Sequence, residues 1–286
     1  MLWGFFSLAL KPIAYVPSFD ILFYRITFSA ILVITFTLLF RRKVFLNDLT
    51  VFKNLSVNDK RKGVSLTLVG GLLLGVNWFL FIYVVNHINV QSASFAYLIC
   101  PIITTFLANI ILKEKLQKIQ WFAVLVSLIG CVICFFTNSN NLFYALVVAC
   151  SYAFYLISQR SNSYFDKFNV LTVQILMVLL LSIPYYIING FSVPTSPEFY
   201  KYIVIIAILF TLLPLYMNLY ALKGASASNV GVMIYVNPLI AFSLAIFYYK
   251  EEVNSLQFVS YFLILLSVLI FNYRILTKLT KKILSK

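Results

Sequence analysis

Apolar segments of about twenty residues recur along the whole chain, and they restrict its fold more than any other feature. A helix of that length spans the hydrocarbon core of a bilayer. Hydrophobic residues make up 62% of the 286 residues and charged residues only 10%, with a mean hydropathy of +0.97. Soluble domains do not have this balance. The sequence therefore predicts an all-α, polytopic membrane protein.

The apolar segments delimit ten predicted membrane spans. They cover residues 1–16, 19–40, 64–86, 90–112, 118–137, 140–158, 168–188, 200–222, 226–249 and 254–274.

The first predicted span is unusual, because Lys11 and Pro12 end its apolar run early. Its Trp3-Gly4-Phe5-Phe6 stretch aligns with Tyr152-Ala153-Phe154-Tyr155 of the sixth span. The sixth span carries further apolar residues before that point, and the first does not. We therefore expect either a short first helix or a true start upstream of Met1.

Lysine and arginine are distributed unevenly between the two sides of the predicted spans. With the N terminus placed in the cytoplasm, 18 of them fall on the cytoplasmic side, and Lys11, Lys201 and Lys250 fall outside. Such a bias sets orientation in membranes. The net charge of +14 is thus interpreted as an orientation signal, and nucleic acid is not an expected partner. The distribution predicts a multi-pass protein of the cell inner membrane with both termini cytoplasmic.

An internal repeat emerges when Pro101 is aligned with Pro238 at a constant offset. Lys113-Glu114 then falls on Lys250-Glu251, with no gap over two helical hairpins. The repeat divides the chain into residues 1–137 and residues 138–286, each with five spans, and the second half ends in a basic cytoplasmic tail. Because each half has an odd number of spans, the second half starts on the opposite side of the membrane and is predicted to be inverted relative to the first. Inverted repeats place a transport site near the bilayer midplane, between the halves.

Arg25 is the sharpest functional candidate, because it lies inside the second predicted span. It could reach the outer surface and pair with Asp20, or it could face a cavity and attract an anionic group such as a carboxylate. Asn77 and Trp78 lie deep in the third span. A buried amide needs a partner or a polar cavity, so these two residues either line the cavity or tie helices together.

Each half carries a proline at the matched position of its fourth span. Tyr97 precedes Pro101, and Tyr235 and Asn237 precede Pro238. Proline removes a backbone donor and frees a carbonyl one turn earlier. Broken helices at corresponding positions of two halves point to a transport site, although proline also simply kinks membrane helices. We expect these five residues to line the cavity.

Other polar and small residues inside the spans have a structural or a binding interpretation. Gly71 and Gly75 share one helix face and predict close helix packing. The remaining candidates for the cavity wall are Tyr83, Tyr152, Gln174 and Asn218.

Several chemistries are disfavoured by the sequence. All eight acidic residues lie at helix ends or in loops, which argues against proton coupling through a buried carboxylate. No Gly-rich loop followed by Lys and Ser or Thr occurs, so ATP drive within this chain is not expected. The four cysteines lie in apolar spans and are interpreted as small apolar fillers. We expect no cofactor, no metal and no catalytic set.

The motifs around the third and fourth spans resemble one known family. The Pro…Lys-Glu signature and the five-plus-five arrangement resemble the EamA branch of the drug/metabolite transporter superfamily. Within that branch, Gly75–Asn86, Ser92–Pro101 and Val16–Ile26 resemble the RarD subgroup. The resemblance implies an inner-membrane permease or exporter with a central cavity, and Arg25, Asn77, Trp78 and Tyr97 match the subgroup pattern. Gln91 and Cys100 depart from it, at positions where the subgroup usually has an acid and Asn.

Together these features predict a transporter of small organic metabolites or drugs that works by alternating access without ATP. The expected partners are a small-molecule substrate and the lipid bilayer, and a homodimer is an open alternative. A membrane-embedded enzyme or assembly factor acting on lipid-linked substrates is the alternative function. Such an enzyme should display catalytic His, Cys or carboxylate groups at one membrane face.

Overall fold

The computed structural model describes residues 2–88, 90–137, 142–189, 193–250 and 254–273, except for the side chains of residues 90–95, 137, 142, 189 and 245. All regular secondary structure in these ranges is helical. The helices are α1 Leu2–Ile13, α2 Ser18–Asn54, α3 Val57–His87, α4 Val90–Ile111, α5 Lys118–Thr137, α6 Leu142–Ser161, α7 Lys167–Asn189, α8 Pro197–Gly224, α9 Ala227–Met233, α10 Val236–Phe247 and α11 Ser255–Phe271.

Six helical segments in the described ranges are long and apolar enough to cross a membrane. They are Ser18–Asn54, Val57–His87, Lys118–Phe136, Lys167–Ile188, Pro197–Gly224 and Ala227–Leu244.

Three shorter apolar helices, Leu2–Ile13, Ala96–Ile111 and Ser255–Phe271, lie between or beside the six spans. The prediction of an all-α membrane protein is therefore confirmed. The 20-residue helix α6 belongs to neither group. Its second half carries Ser158, Gln159 and Arg160, which lower its hydropathy.

Helices of the two halves pack mainly against each other. The first-half helix α2 lies on α7 and α8, α3 lies along α6 and α7, and α4 lies along α6 and α9. The last helix, α11, runs along α5. The apolar core consequently forms between the halves, with one cluster around α1, α2, α3, α6 and α8 and a smaller one around α4, α5 and α11.

Helix α1 is short and lies close to α10. A Cβ at Gly4 would come within 2.5 Å of Cβ of Ile240 and 2.8 Å of the Asn237 carbonyl oxygen. Only glycine permits this approach of the two backbones. The contact places the start of the chain against the broken ninth span.

Helix α2 extends beyond the predicted second span. The sequence placed its end near residue 40, but the helix passes through a π-helical turn at Thr37–Arg41 and continues as Arg42–Asn54. That last segment has no buried residue, and its apolar and charged side chains alternate at helical spacing. It is an amphipathic helix, and a search for long apolar runs does not detect such a helix.

The glycine face predicted on α3 packs against α7. A Cβ at Gly71 would lie 3.0 Å from Cε of Met177, and one at Gly75 would lie 3.2 Å from both Cγ atoms of Val178. Gly70 is closer still, because its Cβ would come within 2.6 Å of Nε2 of Gln174. The predicted close packing is confirmed.

The two matched prolines have different effects on their helices. Pro101 lies inside the continuous helix α4, whereas the ninth span is interrupted between α9 and α10, just before Pro238. At the interruption the backbone forms tight turns, with N–H of Asn237 donating to the Ile234 carbonyl at 2.9 Å. The expectation of matching breaks in both helices is therefore wrong for α4.

The repeated Lys-Glu positions share an unusual backbone conformation. Lys113 has φ 54° and Lys250 has φ 56°, and they are the two non-glycine residues with positive φ in the described ranges. The Glu114 carboxylate accepts hydrogen bonds from N–H of Ala227 at 2.7 Å and of Ser228 at 3.1 Å, and so caps α9. Its counterpart Glu251 and the predicted basic tail from Arg274 lie outside the described residues.

Candidate functional site

A small cavity lies in the core between the two halves. It encloses ≈ 20 Å³, room for about one water molecule. The first half contributes Trp3, Phe6, Arg25, Asn77, Trp78, Phe81 and Tyr97 to its wall, and the second half contributes Tyr152 and Phe210.

Among the described residues of this wall, Arg25 is the one that carries a charge, and its guanidinium points inward. Nε donates to Oγ1 of Thr211 at 2.6 Å, and Nη2 donates to the carbonyl of Phe210 at 3.4 Å. The side chain is 3% exposed. The sequence left two alternatives for Arg25, pairing with Asp20 or facing a cavity, and in the structure Arg25 faces the cavity. Asp20 accepts a hydrogen bond from Tyr186.

Aromatic rings surround the guanidinium of Arg25. Cζ lies 4.9 Å from the ring centroid of Trp78 and 5.4 Å from that of Phe6. Aromatic faces attract a cation through their quadrupole, but they do not neutralise its charge. No carboxylate within the described ranges forms an ion pair with Arg25. The cavity therefore holds a desolvated positive charge with neutral partners.

The carbonyl of Phe210 is available for these contacts because of Pro214. Proline lacks an N–H and its ring displaces the carbonyl four residues earlier, which here is Phe210. The chain responds with a π-helical turn over Ile208–Leu212, a feature common at functional sites. The freed oxygen accepts hydrogen bonds from Nε1 of Trp3 at 2.8 Å and from Arg25.

Asn77 both lines the cavity and ties two helices together. Its Nδ2 donates to the Val148 carbonyl at 2.9 Å and to Oγ of Ser151 at 3.2 Å. These contacts join α3 to α6. The sequence left the two roles of this residue as alternatives, and the structure combines them.

A second, larger cavity adjoins the first on the other side of Trp3. It has a volume of ≈ 320 Å³ and is lined by residues of α1, α8, α9, α10 and the turn before α10. Asn218 lies in its wall and donates from Nδ2 to the hydroxyl of Tyr152 at 3.0 Å, which links the two cavities. Asn237 also lines it, and Oδ1 of this buried amide has no hydrogen-bond partner within the described ranges.

The candidates from the sequence thus fall into two sets. Seven of them line one of the two cavities: Arg25, Asn77, Trp78, Tyr97 and Tyr152 the first, and Asn218 and Asn237 the second.

The other five candidates line neither cavity. Pro101 and Tyr235 face a small gap toward α5 and α11. Tyr83 lies among the rings of Phe79, His87 and Tyr144. Gln174 donates from Nε2 to the Thr67 carbonyl at 3.3 Å and so joins α7 to α3. Pro238 is buried in α10.

Several residues of the wall were missed from the sequence. Trp3, Phe6, Phe81 and Phe210 resemble ordinary lipid-facing or core aromatics in an apolar span, so their types alone carry no signal. Thr211 gives no clearer signal, because its hydroxyl donates to the Ile206 carbonyl of its own helix at 2.9 Å, as threonines in membrane helices commonly do.

The described residues contain no group of three His, Cys, Asp or Glu that could hold a metal ion. Among the described residues, the hydrogen-bonding and charged groups of the two cavities are one guanidinium, amide groups, indole N–H groups and phenol hydroxyls. Groups of these types can form hydrogen bonds with a polar solute, and the guanidinium can attract an anion.

Comparison with known proteins gives the chain its family. The model of the EamA-like transporter family matches twice, over residues 1–136 and 140–273. An uncharacterized transporter, YojE of Bacillus subtilis, is 28% identical over 96% of this chain and 90% of its own length. Protein RarD of Escherichia coli is 26% identical over 94% of this chain and 90% of its own length.

A solved crystal structure shares the fold. It superimposes with a TM-score of 0.73 at 18% identity, over 95% of this chain and 94% of the other. The family and the Bacillus subtilis relative are both named as transporters, which agrees with the apolar helices of this chain. The chain is a multi-pass membrane protein of the EamA-like transporter family, in its RarD-like subgroup.

Proposed function

We propose that this protein exports small organic metabolites or drugs across the cell inner membrane by alternating access without ATP, and that its substrates carry an anionic group which Arg25 binds. One observation carries the proposal. Arg25 is 3% exposed and has only neutral partners among the described residues. A charge at membrane depth is expensive unless it is paired or serves a function.

The position of Arg25 supports a site shared by the two halves. The residue belongs to α2 in the first half, and its hydrogen-bond acceptors belong to α8 in the second half. A substrate carboxylate that replaced one of these neutral acceptors would change the contacts between the halves. Differential binding of that kind is what shifts a protein between two conformations.

Two observations support the inverted repeat, with five spans in each half, on which the proposed alternating access rests. The family model matches each half separately, and positive φ recurs at Lys113 and Lys250, which the repeat aligns. Inverted repeats related in the membrane plane exchange conformations and open a central site to one side at a time. The first cavity, with ≈ 20 Å³, corresponds to a closed site in this scheme.

The second cavity supports a route from the central site. It encloses ≈ 320 Å³, begins on the far side of Trp3 and carries the unpartnered Oδ1 of Asn237. Trp3 contacts Tyr152 edge-on, with 5.7 Å between ring centroids. A rotation of this indole would join the two cavities into one path. The positive-inside bias of the sequence supports cytoplasmic placement of both termini.

A pair of ligands, one with a carboxylate and one with the uncharged methyl ester, tests the substrate class. Purified protein is melted with amino acids, nucleosides, organic acids and amphenicol drugs, and each acid that raises the melting temperature is compared with its methyl ester. A ligand at a hundred times its Kd stabilises the folded state by about 2.7 kcal/mol. We expect the acid to stabilise and the ester to stabilise much less.

Flux in proteoliposomes tests transport itself. Vesicles preloaded with the stabilising acid should exchange it with labelled external acid in a saturable manner without ATP. Equal stabilisation by acid and ester would overturn the role of Arg25. An acid that binds without any exchange would favour the enzyme or assembly-factor alternative over a transporter.

A further inference from the structure

A third cavity lies far from the central site, beside the amphipathic Arg42–Asn54 segment of α2. It is an apolar groove of ≈ 180 Å³ between this segment, α3 and α7. Phe45, Leu49 and Phe52 form one wall, Val64 and Leu68 of α3 form the floor, and Val173 of α7 forms the other wall. These six side chains are 38–43% exposed, so the groove opens to the outside of the helix bundle.

The groove is held open by polar contacts at one end. Oδ2 of Asp48 accepts hydrogen bonds from N–H of Asp166 at 2.9 Å and from Nδ2 of Asn169 at 2.6 Å. These contacts tie the amphipathic segment to the connection between α6 and α7. The segment therefore stands away from α3 at a fixed distance and does not collapse onto it.

The stretch of sequence that flanks the groove is rich in basic residues. Arg41 pairs with Asp166, and the remaining residues 42–62 contain six basic and two acidic residues. Both acids already have donors, since Asp48 binds the α7 connection and Asp59 binds Ser56 and Tyr164. Nζ of Lys60 lies 5.6 Å from the ring centroid of Phe52, which places one ammonium beside an apolar wall of the groove.

We propose that this groove binds an anionic phospholipid, with an acyl chain between the amphipathic segment and α3 and the phosphate near Lys60. The segment directly follows a membrane span, as helices that lie at the headgroup level do. An apolar groove excludes a polar solute, and the surplus of cations selects an anionic headgroup over a zwitterionic one. One ammonium near an anionic lipid contributes about a fivefold preference.

Native mass spectrometry of the purified protein tests this site. The protein is incubated with equal amounts of phosphatidylglycerol and phosphatidylcholine that carry identical acyl chains. We expect the wild type to retain phosphatidylglycerol about fivefold more often. Equal retention of the two lipids would overturn the assignment.

Two matched pairs of variants locate the lipid. Leu49→Trp fills the groove and should remove one bound phosphatidylglycerol, whereas Leu46→Trp, on the same segment but outside the groove, should not. Lys60→Gln should bring the ratio of the two lipids toward one, and Lys43→Gln should leave it nearer the wild-type value. Identical lipid counts within either pair would contradict the proposal.

A further variant tests the groove if Leu49→Trp does not fold. If Leu49→Trp fails to elute as a single species, Val173→Trp fills the groove from the α7 wall and replaces it. Retention of the bound lipid in Val173→Trp would then count against the groove.

Discussion

Two of the arginines of helix α2, Arg25 and Arg41, have similar neighbours but differ in depth and in whether a carboxylate pairs with them. Both guanidiniums lie against aromatic rings, at 4.9 Å from the centroid of Trp78 for Arg25 and 5.0 Å from that of Phe168 for Arg41. Both also contact a hydroxyl, of Thr211 and of Tyr216. Arg41 alone has a carboxylate, because its Nη2 lies 3.0 Å from Oδ1 of Asp166.

The difference shows how one chain uses the same side chain in two ways. Arg41 lies at the end of the span, its side chain is 20% exposed, and its charge is neutralised by the protein. Arg25 is 3% exposed and deeper, where desolvation costs more, yet its protein partners are neutral. A buried cation without a protein anion is stable only if the fold compensates for it, and the proposed compensation during transport is the substrate.

Replacement of each arginine by glutamine should separate the two roles. Arg25→Gln removes the charge-assisted hydrogen bonds to an anionic substrate, each of which contributes about 1.5–3 kcal/mol. We expect about a 10- to 100-fold weaker binding of the acid found in the melting screen. Arg41→Gln should leave binding unchanged. Isothermal titration of the purified variants measures both constants.

The melting temperatures of the same two arginine variants should change in the opposite order to their binding constants. Arg25→Gln should melt at or above the wild-type temperature without substrate, because a costly buried charge is lost. Arg41→Gln should melt lower, because Asp166 loses the closer of its two cationic partners and keeps only Lys223, at 3.8 Å. Equal losses of binding in the two variants would remove the distinction between the arginines.

Asp166 is the residue that makes Arg41 structural, and it has a second role. Its Oδ1 also accepts a hydrogen bond from N–H of Phe168 at 2.9 Å, which caps α7. Asp166→Ala loses the cap and the ion pair and should destabilise the protein by about 1–2 kcal/mol. Asp166→Asn keeps the cap and should lose less. Melting temperatures in detergent check the order, and an equal loss in both variants would mean that the ion pair dominates.

Much of the fold could be predicted from the sequence, because apolar length and proline position act locally. The helices and the glycine face at Gly71 and Gly75 both follow from such local patterns. The end of α2 could not be predicted this way, since Arg42–Asn54 is held by contacts such as that of Asp48 with Asn169, which are distant in sequence.

The candidate site divides in the same manner. Arg25 and Asn77 could be singled out because a charge or an amide in an apolar span needs a partner. Pro101 and Tyr235 were misplaced, because a matched position in a repeat does not fix which face of a helix points to the cavity. Trp3 was missed as a wall residue, because an aromatic side chain in a membrane span gives no sign of its partner, here the carbonyl freed by Pro214.

Two tyrosines one turn apart in α6 sharpen the contrast between partnered and unpartnered groups. The hydroxyl of Tyr152 accepts a hydrogen bond from Asn218, whereas the buried hydroxyl of Tyr155 has no partner within the described ranges. Tyr152→Phe should cost about 1 kcal/mol and weaken substrate binding by about fivefold. Tyr155→Phe should be neutral or slightly stabilising, since it removes an unsatisfied polar group.

The same melting and titration measurements distinguish the two tyrosine variants. A loss of binding in Tyr155→Phe would show that its hydroxyl, and not the pair of Tyr152 and Asn218, meets the substrate. Unchanged binding in Tyr152→Phe would place the substrate away from the link between the two cavities.

The smallest expected effect concerns two lysines, Lys113 and Lys250, that lie outside the central site. Lys113 and Lys250 are exposed and hold positive φ, a conformation that costs a non-glycine residue about 1–2 kcal/mol. Lys113→Gly and Lys250→Gly relieve this strain. Glycine also makes the unfolded chain more flexible, which offsets part of the gain, so each variant should be more stable than the wild type by about 0.5–1 kcal/mol. Lys115→Gly, beside the turn and without positive φ, should not stabilise. Melting experiments measure these gains. A gain at only one of the two aligned lysines would contradict their equivalence in the repeat. A gain at both, with unchanged substrate binding, would show that these two lysine charges, unlike the charge of Arg25, have no part in binding.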